Sequence, residues 1–417
     1  MKRIQIFLLL LFISLPVFAS GGSLYTHYGI GDLRLSYSAR RFGLGELGIA
    51  MSDKDFLNSI NPASWNSLRV TRFETGILYN GAMINDGTSS TYQSGTYFNG
   101  LTFGFPIDHD NGISAVVGLV PVSNVEYNFS QKIADQNVDM IVDPYTLNYQ
   151  GTGGMQRFFL GASYRLPFDF SLGLSYEYYI GRITNSSAVT FASGSTFRNA
   201  TFRKEISYHG MGFTAGIISS DLSKYFDTKN FKDFRIGVVF TPTVMLTSDS
   251  LDNSLTTIGT ITLATNTYKT KLPFKFGVGA SFKWTDNYTF ALDYYYQKFS
   301  EFAENDVVSS YMQDFYKVSF GFEYNNVETR SNAFWDHVML RGGLSYEQSQ
   351  YRINGTGLNQ YSVYAGCSMP LSFDNTIDFG FQYGTRGTTA NNLVKENFFK
   401  FTVGLSIGEL WFIRTER

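Results

Sequence analysis

Ser171-Leu172-Gly173-Leu174-Ser175-Tyr176-Glu177-Tyr178-Tyr179-Ile180 is the stretch whose reading decides the fold. In an extended chain successive side chains point to opposite faces, so Leu172, Leu174, Tyr176, Tyr178 and Ile180 share one face while Ser171, Gly173, Ser175 and Glu177 share the other. One face suits hydrocarbon; the other is small or polar. Near the C-terminus Phe399, Phe401, Val403, Leu405 and Ile407 oppose Lys400, Thr402, Gly404 and Ser406 in the same way. The reading repeats for Phe234, Ile236, Val238 and Phe240, for Phe290, Leu292, Tyr294 and Tyr296, and for Ile377, Phe379, Phe381 and Tyr383.

Alternating segments number about fourteen, an even count as single-chain bacterial barrels have. They span 70–84, 93–107, 112–129, 154–167, 169–183, 203–218, 234–248, 259–283, 287–302, 315–326, 337–351, 359–373, 376–386 and 394–408. A soluble sandwich or propeller also alternates, but its strands usually run about 5–6 residues, whereas many of these exceed the roughly 9–11 that a tilted strand needs to cross a bilayer. Their apolar faces are also almost free of charge. Beyond residue 19 no apolar run approaches the roughly 18 residues of a spanning helix, and only a helix or a closed barrel satisfies its own backbone in hydrocarbon. The sequence therefore predicts an all-β protein, a transmembrane antiparallel β-barrel of about 14 strands.

Composition agrees. Aromatic residues make up 17% and charged residues only 16% of the chain, with 40 glycines and 9 prolines, against about 25% charge in a typical soluble domain. The 33 basic and 35 acidic side chains leave a formal charge of −2, which gives no electrostatic reason to expect nucleic acid as a partner. Residues 1–19 read as an export signal: Met1-Lys2-Arg3, an apolar run from Ile4 to Val17, and Val17-Phe18-Ala19 as the cleavage site. Cys367 is the single cysteine, so no disulfide can form within the chain. It shares a face with Val363, Ala365 and Met369 and reads as a small lipid-facing residue.

Asp108-His109-Asp110-Asn111, Leu166-Pro167-Phe168-Asp169, Thr285-Asp286-Asn287 and Ser372-Phe373-Asp374-Asn375 read as tight turns. They fall at alternate connections, and 130–153, 184–202 and 303–314 between them read as longer polar loops. Short periplasmic turns and long outer loops place both chain ends in the periplasm.

Residues 20–68 do not alternate. They contain Gly43, Gly45 and Gly48 at the spacing of a dinucleotide-binding loop, but that motif needs a preceding strand and a following helix, and neither is present. The glycines are expected to allow close backbone packing, with Pro62 opening a short helical turn capped by Asn61.

Gly43-Leu44-Gly45, the acidic patch Met51-Ser52-Asp53-Lys54-Asp55 and Asn61-Pro62-Ala63, placed directly before the first strand, resemble the N-terminal hatch of FadL-type outer-membrane transporters of long-chain fatty acids and other hydrophobic compounds. Val338 to Tyr346, Gly384-Thr385-Arg386-Gly387, Glu396-Asn397 and Trp411-Phe412 look like a branch of that superfamily common in Bacteroidetes. The chain continues past Trp411-Phe412 to Arg417, whereas many outer-membrane proteins end on an aromatic residue. The resemblance implies a fourteen-stranded barrel, with 1–19 as signal peptide, 20–68 as a hatch in the lumen formed around Gly43, Gly45, Asn61, Pro62 and Ala63, and 69–417 as the barrel. It further implies passive uptake of hydrophobic small molecules, which leave sideways into the outer-membrane lipid through a gap where the third strand bends. Pro121 lies in that strand and cannot donate a ladder hydrogen bond, so it is the candidate for the lateral opening. Phe159, Tyr179 and Tyr295, read as facing the lumen, are candidates for the ligand path. The lumen charges Arg165, Glu177, Arg235, Asp293, Arg341, Glu347, Asp378 and Lys400 have mixed signs and are expected to bond to one another and to the hatch.

A barrel-resident lipid hydrolase is a weaker reading. The histidines are His27, His109, His209 and His337, with no pair at metal-ligand spacing, and the Gly-x-Ser-Tyr pieces at 161–164, 173–176 and 343–346 are strand repeats without the strand-to-helix turn of a nucleophile elbow. No enzyme activity, cofactor or metal is expected, and the barrel is expected to act as a monomer. The main alternative is a binding or assembly role in protein secretion, like the type IX shuttles of similar fold.

Overall fold

The structure, a computed structural model, describes residues 22–133, 144–192, 194–195, 197–226, 228–256, 259–326, 334–372 and 374–409. The signal-peptide reading, Trp411-Phe412 and the tip of the loop expected at 130–153 lie outside the described residues. Fourteen antiparallel strands close into a barrel. They are β1 (Thr71–Asn85), β2 (Ser90–Asp108), β3 (Ile113–Ile133), β4 (Tyr145–Arg165), β5 (Ser171–Phe191), β6 (Ala200–Ile218), β7 (Phe231–Thr241 and Val244–Thr256), β8 (Gly259–Leu272 and Lys275–Trp284), β9 (Tyr288–Gln297), β10 (Phe315–Tyr324), β11 (Met339–Ile353), β12 (Thr356–Pro370), β13 (Thr376–Gly387) and β14 (Lys395–Glu409). Closure runs from Lys395↔Asn85 to Glu409↔Thr71, so β14 pairs with β1 along its whole length. Pairing of β14 with β1 removes the two free edges that an open sheet of these strands would present.

Alternation sets the faces as expected. On β5 Leu174 is 57% and Tyr176 50% exposed, while Ser171 and Glu177 are at 0%. Among the described residues no helix is long and apolar enough to cross a membrane.

Three details differ from the sequence reading. The expected loops at 130–153 and 184–202 are mostly strand: β3 runs to Ile133, β4 starts at Tyr145, and β5 and β6 meet at Phe191 and Ala200. These hairpins stay laddered through residues that no longer alternate apolar with polar, as at Thr190↔Thr146 and Ala188↔Thr201. Connection length also fails to separate the two ends of the barrel. Asn354-Gly355 is a two-residue turn between β11 and β12 at the end expected to face out, whereas β6 and β7, at the other end, are joined through a helical turn at Leu222–Tyr225. Finally, β7 and β8 are each interrupted at the same height, at Pro242-Thr243 and Pro273-Phe274, because proline cannot donate to a ladder.

Residues 22–70 run inside the barrel and are mostly buried. They include a short strand at Asp32–Leu33, a helical turn at Ala39–Gly43 and a 3-10 turn at Pro62–Ser67.

Candidate functional site

The inner segment is fixed to the wall by its own backbone and side chains. Asn61 caps the 3-10 turn, its Oδ1 accepting from the Ala63 N–H at 3.0 Å with Pro62 in the first turn, as the sequence suggested. Its Nδ2 donates to the Ile49 carbonyl at 2.7 Å and points at the carbonyls of Ile217 and Val238 on β6 and β7, both at 3.4 Å. Asn61 is fully buried, and a Cβ at Gly216 would collide with its Oδ1. Ala63 is equally buried. Gly43 packs backbone to backbone on Gly366 of β12, and Gly45 adopts φ +89°, where a side chain would be strained.

Ion pairs tie the segment to the wall at successive heights. At the end of the barrel where β13 and β14 are joined, Arg386 holds Asp32 at 2.8 Å and Glu396 at 2.7 Å, and Ser23 Oγ donates to Glu396. Midway Lys317 pairs with Glu46, and Asp293 accepts the N–H groups of Gly48 at 2.7 Å and Ile49 at 3.0 Å. Toward the other end Arg40 bonds Glu323 at 2.6 Å, which also takes Arg341 at 2.6 Å, while Arg40 and Arg41 both reach Asp53. Arg341 lies 3.7 Å from Asp378, Arg165 donates to the Asn66 carbonyl, and Glu177 pairs with Arg157. Of the eight lumen charges, Arg165 and Asp293 thus bond the inner segment, Arg341 and Asp378 lie against each other, and Glu177 pairs with Arg157. Burial alone would raise the carboxyls of Asp32, Glu46 and Asp53, but the facing Arg386, Lys317 and Arg40 outweigh it and hold all three below their ordinary values.

The wall is irregular at Pro121. The ladder of β3 with β4 shifts register between Pro121 and Ser123. On its other side β3 pairs with β2 only from Asp108↔Ile113 to Leu101↔Leu119. Beyond Leu119 β3 leaves β2 and takes the inner segment as its neighbour: Asp32 and Leu33 pair with Asn124 and Ser123, and the Arg34 N–H donates to the Val122 carbonyl. Side chains span the parted strands instead. Gln93 Nε2 donates to the Asn128 carbonyl at 2.7 Å and the Tyr97 hydroxyl bonds the Glu126 carboxylate. A cavity of about 680 Å³ opens here, lined by Arg34, Tyr97, Pro121, Asn124, Glu126 and Arg182 among others.

A second, more enclosed chamber of about 60 Å³ lies in the lumen and shares Arg34 and Pro121 with the first. Tyr295 lines it together with Arg157, Lys275, Asp293 and Lys317. Phe159 stacks on Trp65 of the inner segment at 6.0 Å, and Tyr179, fully buried, donates its hydroxyl to Glu177. Phe159 and Tyr179 are therefore held in side-chain packing, and of the three only Tyr295 borders this chamber. Sequence reading missed Tyr97, Glu126, Arg34 and Gln93. The register shift at Pro121 changes which face of β3 looks inward, from Ser114, Val116 and Val120 to Ser123, Val125 and Tyr127, and no local pattern shows that Tyr97 and Glu126 meet across two parted strands. Among the described residues no group of three His, Cys, Asp or Glu side chains is placed to hold a metal.

The closed fourteen-strand wall, filled by an N-terminal segment and parted beside its third strand, has the fold of the FadL-type barrels. Its fold is similar to that of the Ralstonia pickettii toluene transporter TbuX (TM-score 0.61, 16% identity, covering 90% of this chain and 98% of that one). It is also similar to a Pseudomonas aeruginosa FadL homologue (0.60, 10%, 90% and 99%) and to the Pseudomonas putida toluene transporter TodX (0.60, 15%, 91% and 100%). At these identities the likeness is one of fold. A family model described as BamG matches residues 1–416, and the chain belongs to the BamG family. Comparison with curated protein sequences gives no match.

Proposed function

We propose that this barrel passes hydrophobic compounds, such as long-chain fatty acids, across the outer membrane passively and without a cofactor. In this reading residues 1–19 are removed as a signal peptide, 20–68 form a plug containing Gly43, Gly45, Asn61, Pro62 and Ala63, and 69–417 form the wall. The ligand leaves sideways into outer-membrane lipid beside Pro121. The observation that carries the reading is the end of the β2–β3 ladder at Leu101↔Leu119 beside a cavity that shares lining residues with the lumen chamber. Proteins of the same fold are named toluene transporters and monoaromatic hydrocarbon channels, which is consistent with a hydrophobic small-molecule partner. A hydrophobic ligand gains roughly 25 cal/mol per Å² of apolar surface on entering lipid, so lateral release is downhill without an energy source.

Photo-crosslinking tests it. A palmitate analogue carrying a diazirine, added to the purified barrel in nanodiscs, should label peptides containing Phe98, Pro121 and Gln156, with labelling competed by oleate. Label spread evenly over the lipid-facing wall would remove the gap from the route.

One observation favours a second reading. The enclosed chamber beside Tyr295 holds only about 60 Å³, too small for a long acyl chain until the ion-paired inner segment moves. A barrel that serves a binding or assembly role would need no such movement. Oleate uptake absent from cells that carry a folded barrel would favour that role.

A further inference from the structure

The upper half of the third wall strand is held to the second by side chains alone, and those side chains are connected to the plug. Glu126 is the centre of the arrangement. Its carboxylate reaches across the parted strands to the Tyr97 hydroxyl on β2. Its backbone is clasped from the lumen: the carbonyl accepts from the Gly22 N–H at 3.0 Å and from Thr26 Oγ1 at 3.0 Å, and its own N–H donates to Thr26 Oγ1 at 3.2 Å. Gly95, next to Tyr97 on the same face of β2, leaves the space the pair occupies, because a Cβ there would collide with both the Tyr97 hydroxyl and Glu126 Oε2. Gln93 makes the second crossing, to the Asn128 carbonyl.

From this geometry we infer that Tyr97–Glu126, assisted by Gln93–Asn128, is a latch that keeps the wall gap shut and reports the position of the plug to it. Side-chain bonds such as these stand where a backbone ladder would otherwise seal β2 to β3, and each is worth far less than a run of ladder bonds. The gap can open without unzipping any pair of wall strands. Withdrawal of residues 22–33 removes the Gly22 and Thr26 clasps on Glu126, the same element whose Asp32 and Leu33 pair with β3. One movement then frees the lumen side of β3 and turns the latch carboxylate away from Tyr97. The inference rests on the reading of the gap as the exit, and supplies its regulation.

The test uses the full chain in nanodiscs, with Tyr97→Phe, Gln93→Leu, the double variant and Gly95→Ala, read by hydrogen–deuterium exchange. Tyr97→Phe removes one oxygen and leaves every strand ladder in place, so the barrel should still migrate as a folded, heat-modifiable band. Exchange should rise about tenfold or more in 120–128 and in 22–35, with the β4–β5 ladder unchanged, a response expected of losing a hydrogen bond to a charged group. Glu126→Gln, which keeps an acceptor for the tyrosine, should fall between wild type and Tyr97→Phe. Unchanged exchange in 120–128 in the double variant would overturn the latch. The same rise confined to β2, with 22–35 unchanged, would overturn its coupling to the plug. Oleate uptake measured on the same variants separates the two readings: faster exchange with no uptake in any variant leaves the latch standing and removes the transport route.

Discussion

At the residue scale the account depends on a few buried polar side chains inside the barrel. Asn61 caps the 3-10 turn and also satisfies the Ile49 carbonyl. Asn61→Ala should cost about 1 kcal/mol for the cap and roughly 1–3 kcal/mol more for the buried carbonyl left without a donor. Faster hydrogen exchange across 58–67, with the wall unaffected, would register that loss. The carboxylates of Asp32, Glu46 and Asp53 set a pH dependence. Each is held below its ordinary value, so the stability it lends the plug is complete above the unfolded value of about 4 and is lost as pH falls through the lower folded value. Conductance of the barrel in a planar bilayer should therefore be low at neutral pH and rise below about pH 4. Arg40→Gln, which strips Asp53 and Glu323 of a partner, should shift that rise toward neutral pH. These residues differ in how far the sequence exposes them. Asn61-Pro62 announces a cap because residue type and order suffice, whereas the role of Glu126 is invisible because its partner Tyr97 lies on another strand, beyond the end of their shared ladder.

At the element scale the strands were readable because lipid imposes one requirement on every outward side chain. The period of two survives from Leu172 to Ile180 for that reason. Beyond the apolar band the requirement lapses, and the upper parts of β3 to β6 look like loops in sequence although they remain laddered. The parting of β2 from β3 is a relation between two strands, and nothing local in 90–100 encodes it. Only Pro121 pointed there, by its missing N–H. Pro121→Val would return a donor to β3 and permit the ladder to continue past Leu119. Oleate uptake should then fall several-fold at equal surface level, and equal uptake would argue that the bend is set by the Asp32–Leu33 pairing and not by the proline.

At the scale of the whole molecule, wall and plug are separable in energetic terms. The wall closes through backbone ladders, interrupted only in part between β2 and β3, while the inner segment is bound chiefly by ion pairs, caps and apolar packing such as Trp65 on Phe159, with a short ladder at Asp32–Leu33. A chain lacking 24–67 should still insert and resist SDS at room temperature, but should conduct ions through an open lumen. Loss of the folded band instead would make the plug part of the barrel's own stability. The BamG family and the FadL-type fold fix what kind of object this is; what passes through it is a matter for transport.

The most direct measurement is uptake of labelled oleate by Gram-negative cells lacking their own fatty-acid transporter, comparing wild type, the Asn61→Ala/Pro62→Ala variant and empty cells at matched surface level. Uptake above empty cells that changes when the plug is altered is the predicted result. Uptake no greater than in empty cells, with a folded barrel present in the outer membrane, would contradict a transport role for hydrophobic acids.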